Sequence, residues 1–446
     1  MRAKVTLASV VVVAAVTLCW AGALACAGEA PFEEVLSQTQ TQPAAVGLRD
    51  VYRQALEKNE RIGIADENLL QAGYYRRQAL SGILPSLTFQ GAYFRQKATG
   101  STGIAGQSFL IDRRSTYSFQ LEQNIFSGLQ EQFGLRQATV LSHAAEQDLQ
   151  RQKDLLLLDV AQAFYDSLKL QAEVENTAST LKLRRELLAE AQARNEVGLA
   201  RYTDVLLIET EVAGDESNLI RSENALRTAR DRLDFVAGAP IGGALVDDLE
   251  ETGTEPDAEK LVAKARMSRP DYLESLRLLE AAKYGVRIVR GEYSPTLDFT
   301  GNYYTHREGI QAPVNWDFQV TLKFALFSGG ETRAKELQAL SKQRQAELNR
   351  SRLERGIALE IENQLLDLLS YDSLLASIRR EIELAEENYR AMEEEYRMGL
   401  ATNLEVQVSF NAMQNTKLTF EKEKLNRKLS WVRLQLATGV NPALEK

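Results

Sequence analysis

The sequence predicts an α+β membrane protein that combines long antiparallel coiled-coil helices with four transmembrane β-strands in each chain. Three observations predict this class: an N-terminal segment typical of export, a sequence unit that occurs twice, and amphipathic strands followed by very long helical stretches. The 446 residues would suffice for two or three ordinary domains. The duplication instead favours two copies of one structural unit.

Residues 1–27 have the composition of a secretory signal peptide, because Arg2 and Lys4 precede a long apolar run that ends in small residues. Its end allows two kinds of processing, namely removal of the segment or lipidation of Cys26. A transmembrane anchor is a third interpretation. Both cysteines, Cys19 and Cys26, lie in this segment, so the rest of the chain cannot form an internal disulfide. Beyond it, no apolar run approaches the roughly 18 residues of a membrane helix, so any other crossing must use strands.

One structural unit is encoded twice. Residues 55–89 align with residues 265–299, and residues 126–128 align with residues 327–329. The loop between the aligned segments is longer and rich in Gly and Ser in the first copy, a difference that loops tolerate. Each copy is predicted to contain a helical stretch, two β-strands, a long helix, a tip turn and a shorter helix. The predicted organisation is an N-terminal linker (28–47), a first repeat (48–242), an inter-repeat linker (243–257), a second repeat (258–440) and a C-terminal tail (441–446).

Two predicted strands, within residues 115–126 and 315–327, carry apolar and polar side chains on opposite faces. A half-buried sheet of a soluble protein is the more common cause of such alternation. The export segment, the aromatic content and strand lengths near the roughly 9–11 residues of an outer-membrane strand favour a membrane sheet. Because a closed barrel needs about eight strands, a four-stranded chain must oligomerise. The apolar faces comprise Tyr117, Phe119, Leu121 and Ile125, and Trp316, Phe318, Val320, Leu322, Phe324 and Leu326.

Residues 128–197 and 329–398 have a helical pattern and contain no proline. Each would extend roughly 100 Å at 1.5 Å per residue, and coiled-coil packing is needed to stabilise helices of that length. In each copy the apolar residues that would pack in the coiled coil form a stripe along the helix, here called the seam. The seam of the first copy is less regular, because Arg184 and Asn195 interrupt it. In the second copy the seam steps by three and four residues through Leu375, Ile378, Ile382, Ala385, Tyr389, Met392 and Tyr396.

Over residues 48–440 the sequence resembles the TolC family of outer-membrane efflux channels. The resemblance rests on the duplication, the LPSL and SPTL segments before the strands, the FSG segments after them, and the turns VGLARYTDV and MGLATNLEV. It implies a homotrimer with a twelve-stranded β-barrel in outer-membrane lipid and an α-helical coiled-coil barrel in the periplasm. The implied function is the passive exit duct of a tripartite efflux or type I secretion system. A periplasmic adaptor and an inner-membrane transporter would be its partners.

The resemblance also assigns roles near the two turns. It places Asp204 and Glu405 at an acidic constriction and matches Tyr396 to a gate tyrosine, whereas Val408 stands where the best-known relative has a second acid. Alternatively, Asp204 and Glu405 serve only as acids at helix starts, Tyr396 is only a coiled-coil core residue, and the turns bind no partner. The implied adaptor-docking tips are Gly198, Leu199 and Ala200, and Gly399, Leu400 and Ala401.

The remaining function classes have little support. The net charge of −9 disfavours nucleic acid as a partner, since phosphate binding relies on basic patches. We expect no enzyme, catalytic residue, cofactor or metal site, because His143 and His306 are the only histidines and no hydrolase, metalloprotease or phosphate-binding motif occurs. The alternative function is a periplasmic coiled-coil scaffold or adaptor without a membrane barrel, but it leaves the aromatic strands unexplained.

Overall fold

The computed structural model describes residues 45–97, 113–251, 253, 257–308 and 312–444. The signal segment with Cys26 and most of the N-terminal linker lie outside these ranges, so the predictions for them stay predictions. The elements of the first repeat are α1 (Leu48–Lys58), α2 (Glu60–Ser81), β1 (Ser86–Arg95), β2 (Arg113–Phe126), α3 (Gln130–Glu196) and α4 (Tyr202–Ala237). Those of the second are α5 (Ala258–Ser268), α6 (Pro270–Gly291), β3 (Thr296–Arg307), β4 (Trp316–Lys323), α7 (Glu331–Arg397) and α8 (Asn403–Ala437).

The first helical stretch of each repeat, predicted as continuous, is divided into two helices. Asn59 has an extended backbone and is the N-cap of α2, since its side chain accepts a hydrogen bond from the Arg61 backbone N–H at 2.9 Å. In the second repeat the break falls at Arg269, directly before Pro270. A residue before proline avoids the helical conformation, while proline suits the first position of a helix.

The four strands form one antiparallel sheet in the order β1-β2-β3-β4. Its register aligns Leu87 with Leu121, Leu121 with Gly301, and Gly301 with Phe318, so these residues share one face. This confirms the predicted alternation of faces at these positions. Register shifts at Tyr117/Ser118 and Asn124/Phe126 interrupt it, and Phe126 rather than the predicted Ile125 pairs with Leu297. On the polar face, the amides of Asn124 and Asn302 donate hydrogen bonds to Asp298 (2.9 Å) and Asp317 (2.8 Å).

The predicted last strand was too long. It was expected to include Phe324 and Leu326, but β4 ends at Lys323. The reason is the partner strand: Lys323 pairs with Thr296, the first residue of β3, so no further backbone groups of β3 remain for pairing. Because the strand order is β1-β2-β3-β4, β1 and β4 are the two edge strands of the sheet in the single chain.

The long helices pack as predicted. The helix α3 contacts α2, α4, α6 and α8, and α7 contacts α6 and α8. The predicted seam of α7 is shielded, since Ile378 is buried and its other members are half-buried. In the described ranges, no helix combines the length and the apolar character needed to cross a bilayer.

Segments predicted as linkers and tail contribute to the packing. Val46 forms a parallel bridge with Leu245, which belongs to the main apolar core. At the C-terminus, the amide of Asn441 donates to the Tyr52 hydroxyl (3.2 Å) and to Asp154 (3.0 Å). Burial is the main cause of the raised pKa of Asp154. These contacts attach Val46, the inter-repeat segment at Leu245 and the C-terminal segment at Asn441 to the helices of the two repeats.

Candidate functional site at the two hairpin turns

The first turn ends α3 in a Schellman motif. Leu199 N–H donates to Arg194 O (2.8 Å), and Gly198 N–H donates to Asn195 O (3.0 Å). Gly198 has a φ of 77°, a left-handed conformation that favours glycine. The Asn195 side chain completes the turn by donating to Ala200 O at 2.8 Å.

The second turn repeats this geometry. Leu400 N–H donates to Glu395 O (2.8 Å), Gly399 N–H donates to Tyr396 O (3.0 Å), and the φ of Gly399 is 76°. Ala401 N–H makes a further bond to Glu395 O at 3.3 Å. The duplicated Gly-Leu-Ala sequence therefore encodes the same backbone, and each glycine is required by its positive φ.

Replacing Gly399 with Ala is expected to destabilise the second turn by about 1–2 kcal/mol, the cost of a side chain in the left-handed conformation. A Cβ would meet no atom there, so strain rather than a clash sets the effect. Gly356→Ala is the matched control, because Gly356 lies in the interior of α7 and its Cβ would also meet open space. That change should stabilise the helix by up to about 1 kcal/mol. Hydrogen exchange at the turn and in α7 would measure the change in stability caused by each substitution. Equal effects of the two substitutions would contradict the left-handed conformation assigned to Gly399.

Both turns present large apolar side chains outward. Leu199 is 80% exposed and Leu400 is 75% exposed in the single chain, and the preceding Val197 and Met398 are also exposed. Neighbouring Gly and Ala residues leave the backbone accessible beside each leucine. Such apolar tips favour contact with another protein.

Tyr396 links the end of α7 to the end of α3. The guanidinium carbon of Arg194 lies 5.4 Å from the centre of the Tyr396 ring, a cation–π contact worth about 0.5–1 kcal/mol. Across the described part of the chain, the Tyr396 hydroxyl makes no hydrogen bond, so the ring carries this contact. Sequence reasoning missed Arg194, because nothing in the helical pattern distinguishes it from other surface arginines.

Glu405 forms a capping box at the start of α8. Its carboxylate accepts from Thr402 N–H at 2.7 Å, and Glu405 N–H donates to the Thr402 hydroxyl at 3.3 Å. The hydrogen bond from the Thr402 backbone is the main cause that lowers the pKa of Glu405. Asp204 also lies in a first helical turn, but the cap residue of α4, Arg201, makes no side-chain cap. Among the residues described, no hydrogen bond or ion pair joins Asp204, Glu405 and Tyr396 to one another.

A buried polar cluster joins the two helical hairpins above the turns. Arg184 of α3 forms ion pairs with Glu211 and Asp215 of α4, the latter at 2.7 Å, and donates to Asn411 of α8 at 2.7 Å. With its nitrogen turned toward Glu211, the amide of Gln407 donates to both carboxylate oxygens (2.8 and 2.9 Å). Only 6% of the Arg184 side chain is exposed. The residue that interrupts the predicted seam therefore connects three helices.

Burial has opposite effects on the two main members of this cluster. It lowers the pKa of the Arg184 guanidinium and raises the pKa of Asp215, and in each case the charge of the other residue opposes the shift. Each charge thus stabilises the other. Sequence periodicity could not identify the cluster, because its acids and amides come from two other helices.

The sequence of this chain matches those of known proteins along both repeats. The family model described as outer membrane efflux protein matches residues 51–239 and 261–440. The probable efflux pump outer membrane protein TtgC of Pseudomonas putida is 24% identical over 421 residues, which cover 88% of this chain and 82% of that protein. The alkaline protease secretion protein AprF of Pseudomonas aeruginosa is 23% identical over 417 residues, covering 89% and 85%.

The fold is similar to that of solved outer membrane proteins. The crystal structure of VceC from Vibrio cholerae superposes with a TM-score of 0.77 at 17% identity, over 88% of this chain and 96% of that one. The predicted class of long helices with a four-stranded sheet is therefore confirmed. The predicted trimer and its twelve-stranded barrel stay predictions.

Proposed function

The chain belongs to the outer membrane efflux protein family, and we propose that it forms the passive exit duct of a tripartite efflux or type I secretion system. It is an outer-membrane channel with its helical part in the periplasm. The observation that carries the proposal is the register of the sheet, which places apolar side chains of all four strands on one face and polar side chains on the other. One relative is an efflux pump protein and another a secretion protein, so both kinds of system fit.

The duct is proposed to be a homotrimer. The four-stranded sheet has two unpaired edges, and three copies joined edge to edge would give twelve strands, enough for a closed barrel. The helices support the same assembly, because α7 leaves a stripe of large apolar residues exposed in the single chain. This stripe includes Leu348, Leu359 and Leu366.

The polar face of the sheet would line the duct. It carries the acids Glu122, Asp298 and Asp317 and the basic residues Arg114, Arg307 and Lys323, and Arg307 forms an ion pair with Asp317 at 3.8 Å. Because these acidic and basic residues are equal in number, cation selectivity is proposed to come from the constriction, where three copies would bring together six carboxylates of Asp204 and Glu405. The duct itself contributes no energy source, so transport would be driven by an inner-membrane transporter.

The turns are proposed to be the periplasmic tip. The exposed Leu199 and Leu400, each beside small residues, support docking of a periplasmic adaptor at Gly198-Leu199-Ala200 and Gly399-Leu400-Ala401. Asp204 and Glu405 would line the constriction, and Tyr396 would hold it closed. The contact of Tyr396 with Arg194 supports the last role, because it joins the ends of the two long helices.

Single-channel conductance in planar bilayers tests this function. The purified protein should form cation-selective channels, and Asp204→Ala combined with Glu405→Ala should raise conductance. The same change should weaken block by a divalent cation about tenfold or more, since a trimer would lose six carboxylates. Tyr396→Leu, which removes the ring, should raise conductance, whereas Tyr396→Phe, which keeps the ring, should have a smaller effect.

The matched control is Tyr389→Phe. Tyr389 occupies the same seam of α7 but packs against Phe410 of α8, with ring centres 5.5 Å apart. It should leave conductance unchanged. A wild-type protein without channel activity would refute the proposed duct, and gate variants that behave as wild type would refute the assigned gate alone.

A further inference from the structure

Two arginines lie opposite each other at one end of the sheet. Arg95, the last residue of β1, pairs with Arg113, the first residue of β2, and both are exposed. The helices α2 and α3 join these strands at the other end of the sheet. If the helices lie in the periplasm, as the proposed function requires, this arginine pair lies on the outer side of the membrane.

Both arginines belong to the apolar face. Arg95 continues the alternation of Phe89 and Tyr93, and Arg113 precedes Tyr117 on the same face of β2. The tyrosines are typical of the interface between the apolar core of a membrane and its headgroups. The arginine pair therefore lies one step further out, at the depth of the headgroups and facing the lipid.

The charge of this pair is uncompensated across the described ranges. Neither Arg95 nor Arg113 forms an ion pair there, and like charges directly opposite each other destabilise a strand pair. Among the described residues at this end of the sheet, the acid Glu308 is already engaged: it accepts from Ser115 N–H at 2.7 Å and lies 3.6 Å from His306. A bound anion would turn the repulsion between the arginines into a shared attraction.

We propose that Arg95 and Arg113 together bind phosphate groups on the headgroups of the outer-leaflet glycolipid. The planar guanidinium forms bidentate hydrogen bonds with phosphate oxygens, and side chains opposite each other on paired strands are close enough to hold one phosphate between them. The apolar face below would contact the acyl chains of the same lipid. The site is thus a lipid contact with a defined headgroup chemistry, which the trimer would contain three times.

Arg114 provides a matched control in the next position of β2. It lies on the opposite face, where its guanidinium is 5.0 Å from the centre of the Phe94 ring. An Arg114→Ser change removes one charge from the same end of the sheet without altering the lipid-facing side. The comparison therefore separates a lipid site from a general effect of positive charge.

Native mass spectrometry of the detergent-purified full chain, titrated with diphosphoryl lipid A, tests the site. The wild-type protein should bind this lipid more tightly than a phosphate-free glycolipid, and binding should weaken at higher salt. Arg95→Ser with Arg113→Ser should weaken binding about tenfold or more, whereas Arg114→Ser should match the wild type. Millimolar inorganic phosphate should not displace the lipid, because it lacks the acyl chains.

Several outcomes would overturn the proposal: equal binding by the double variant, an equal loss in Arg114→Ser, equal binding of the phosphate-free glycolipid, or displacement by inorganic phosphate. Conductance of the double variant in planar bilayers distinguishes this failure from failure of the proposed function. Channels of normal conductance together with unchanged lipid binding would reject the lipid site and retain the duct.

Discussion

Replacing Val320 with Arg is expected to prevent stable insertion of the sheet into the outer membrane. Val320 lies on the apolar face of β4 opposite Phe299, and its side chain is 52% exposed in the single chain. An arginine facing lipid near the middle of the membrane costs about 2–4 kcal/mol, and a trimer would incur this cost three times. Urea titration of the reconstituted protein, followed by its heat-modifiable mobility, would measure the loss.

Thr321→Arg is the matched control for this change. Thr321 is the next residue of β4, lies on the polar face and pairs with Asp298. An arginine there would face the water-filled side near a carboxylate, so insertion should proceed and cation selectivity should fall. If both variants insert equally, the assignment of the two faces is wrong. Recovery of the wild-type chain in the soluble periplasm would instead support a scaffold without a membrane barrel.

The faces of the sheet were predictable because a strand has a period of two. Once Tyr117 and Trp316 are placed on one face, every second residue follows them until a register shift intervenes, and the pairing confirms this for Phe119, Leu121 and Phe318. The two register shifts between β2 and β3 were not predictable from the alternation. The end of β4 was not predictable in the same way. It depends on where β3 begins, and the alternation of Phe324 and Leu326 contains no information about the length of the partner strand.

The turns were predictable for a different reason. A glycine that recurs at the same place in two long helical patterns indicates a helix end with a positive φ, and Gly198 and Gly399 both have one. The contacts around them depend on tertiary structure. Arg194 meets Tyr396 only because the two hairpins are neighbours, and a helical pattern within either repeat cannot show which neighbour a surface side chain reaches.

Replacing Arg184 with Met is expected to loosen the contact between the hairpin of α3 and α4 and the hairpin of α7 and α8. Removal of one partner of a buried ion pair costs about 3–5 kcal/mol, because the other charge stays buried without compensation. Here we expect about 2–3 kcal/mol, since the side chains of Glu211 and Asp215 are 27% and 16% exposed and water can partly replace the guanidinium. Hydrogen exchange in α4 and α8 would measure the loss.

Arg185→Met is the matched control, because Arg185 is the next residue of α3 and pairs with Glu216 at 2.7 Å. Those side chains are 58% and 47% exposed, and an exposed pair contributes at most about 1 kcal/mol. Neutralising both acids in the Arg184→Met background, with Glu211→Gln and Asp215→Asn, should recover most of the stability, because the uncompensated charges are then gone.

The loss of the Arg184 cluster should also affect the proposed tip of the hairpins. Gln407, which contacts Glu211 in this cluster, lies two residues after Glu405 in the first turns of α8. The cluster therefore holds the start of α8, and with it the proposed constriction, against α4. Arg184→Met should raise single-channel conductance, and the triple variant should return it toward the wild-type value. If Arg184→Met lost stability but kept wild-type conductance, the cluster would stabilise the hairpins without restraining the tip.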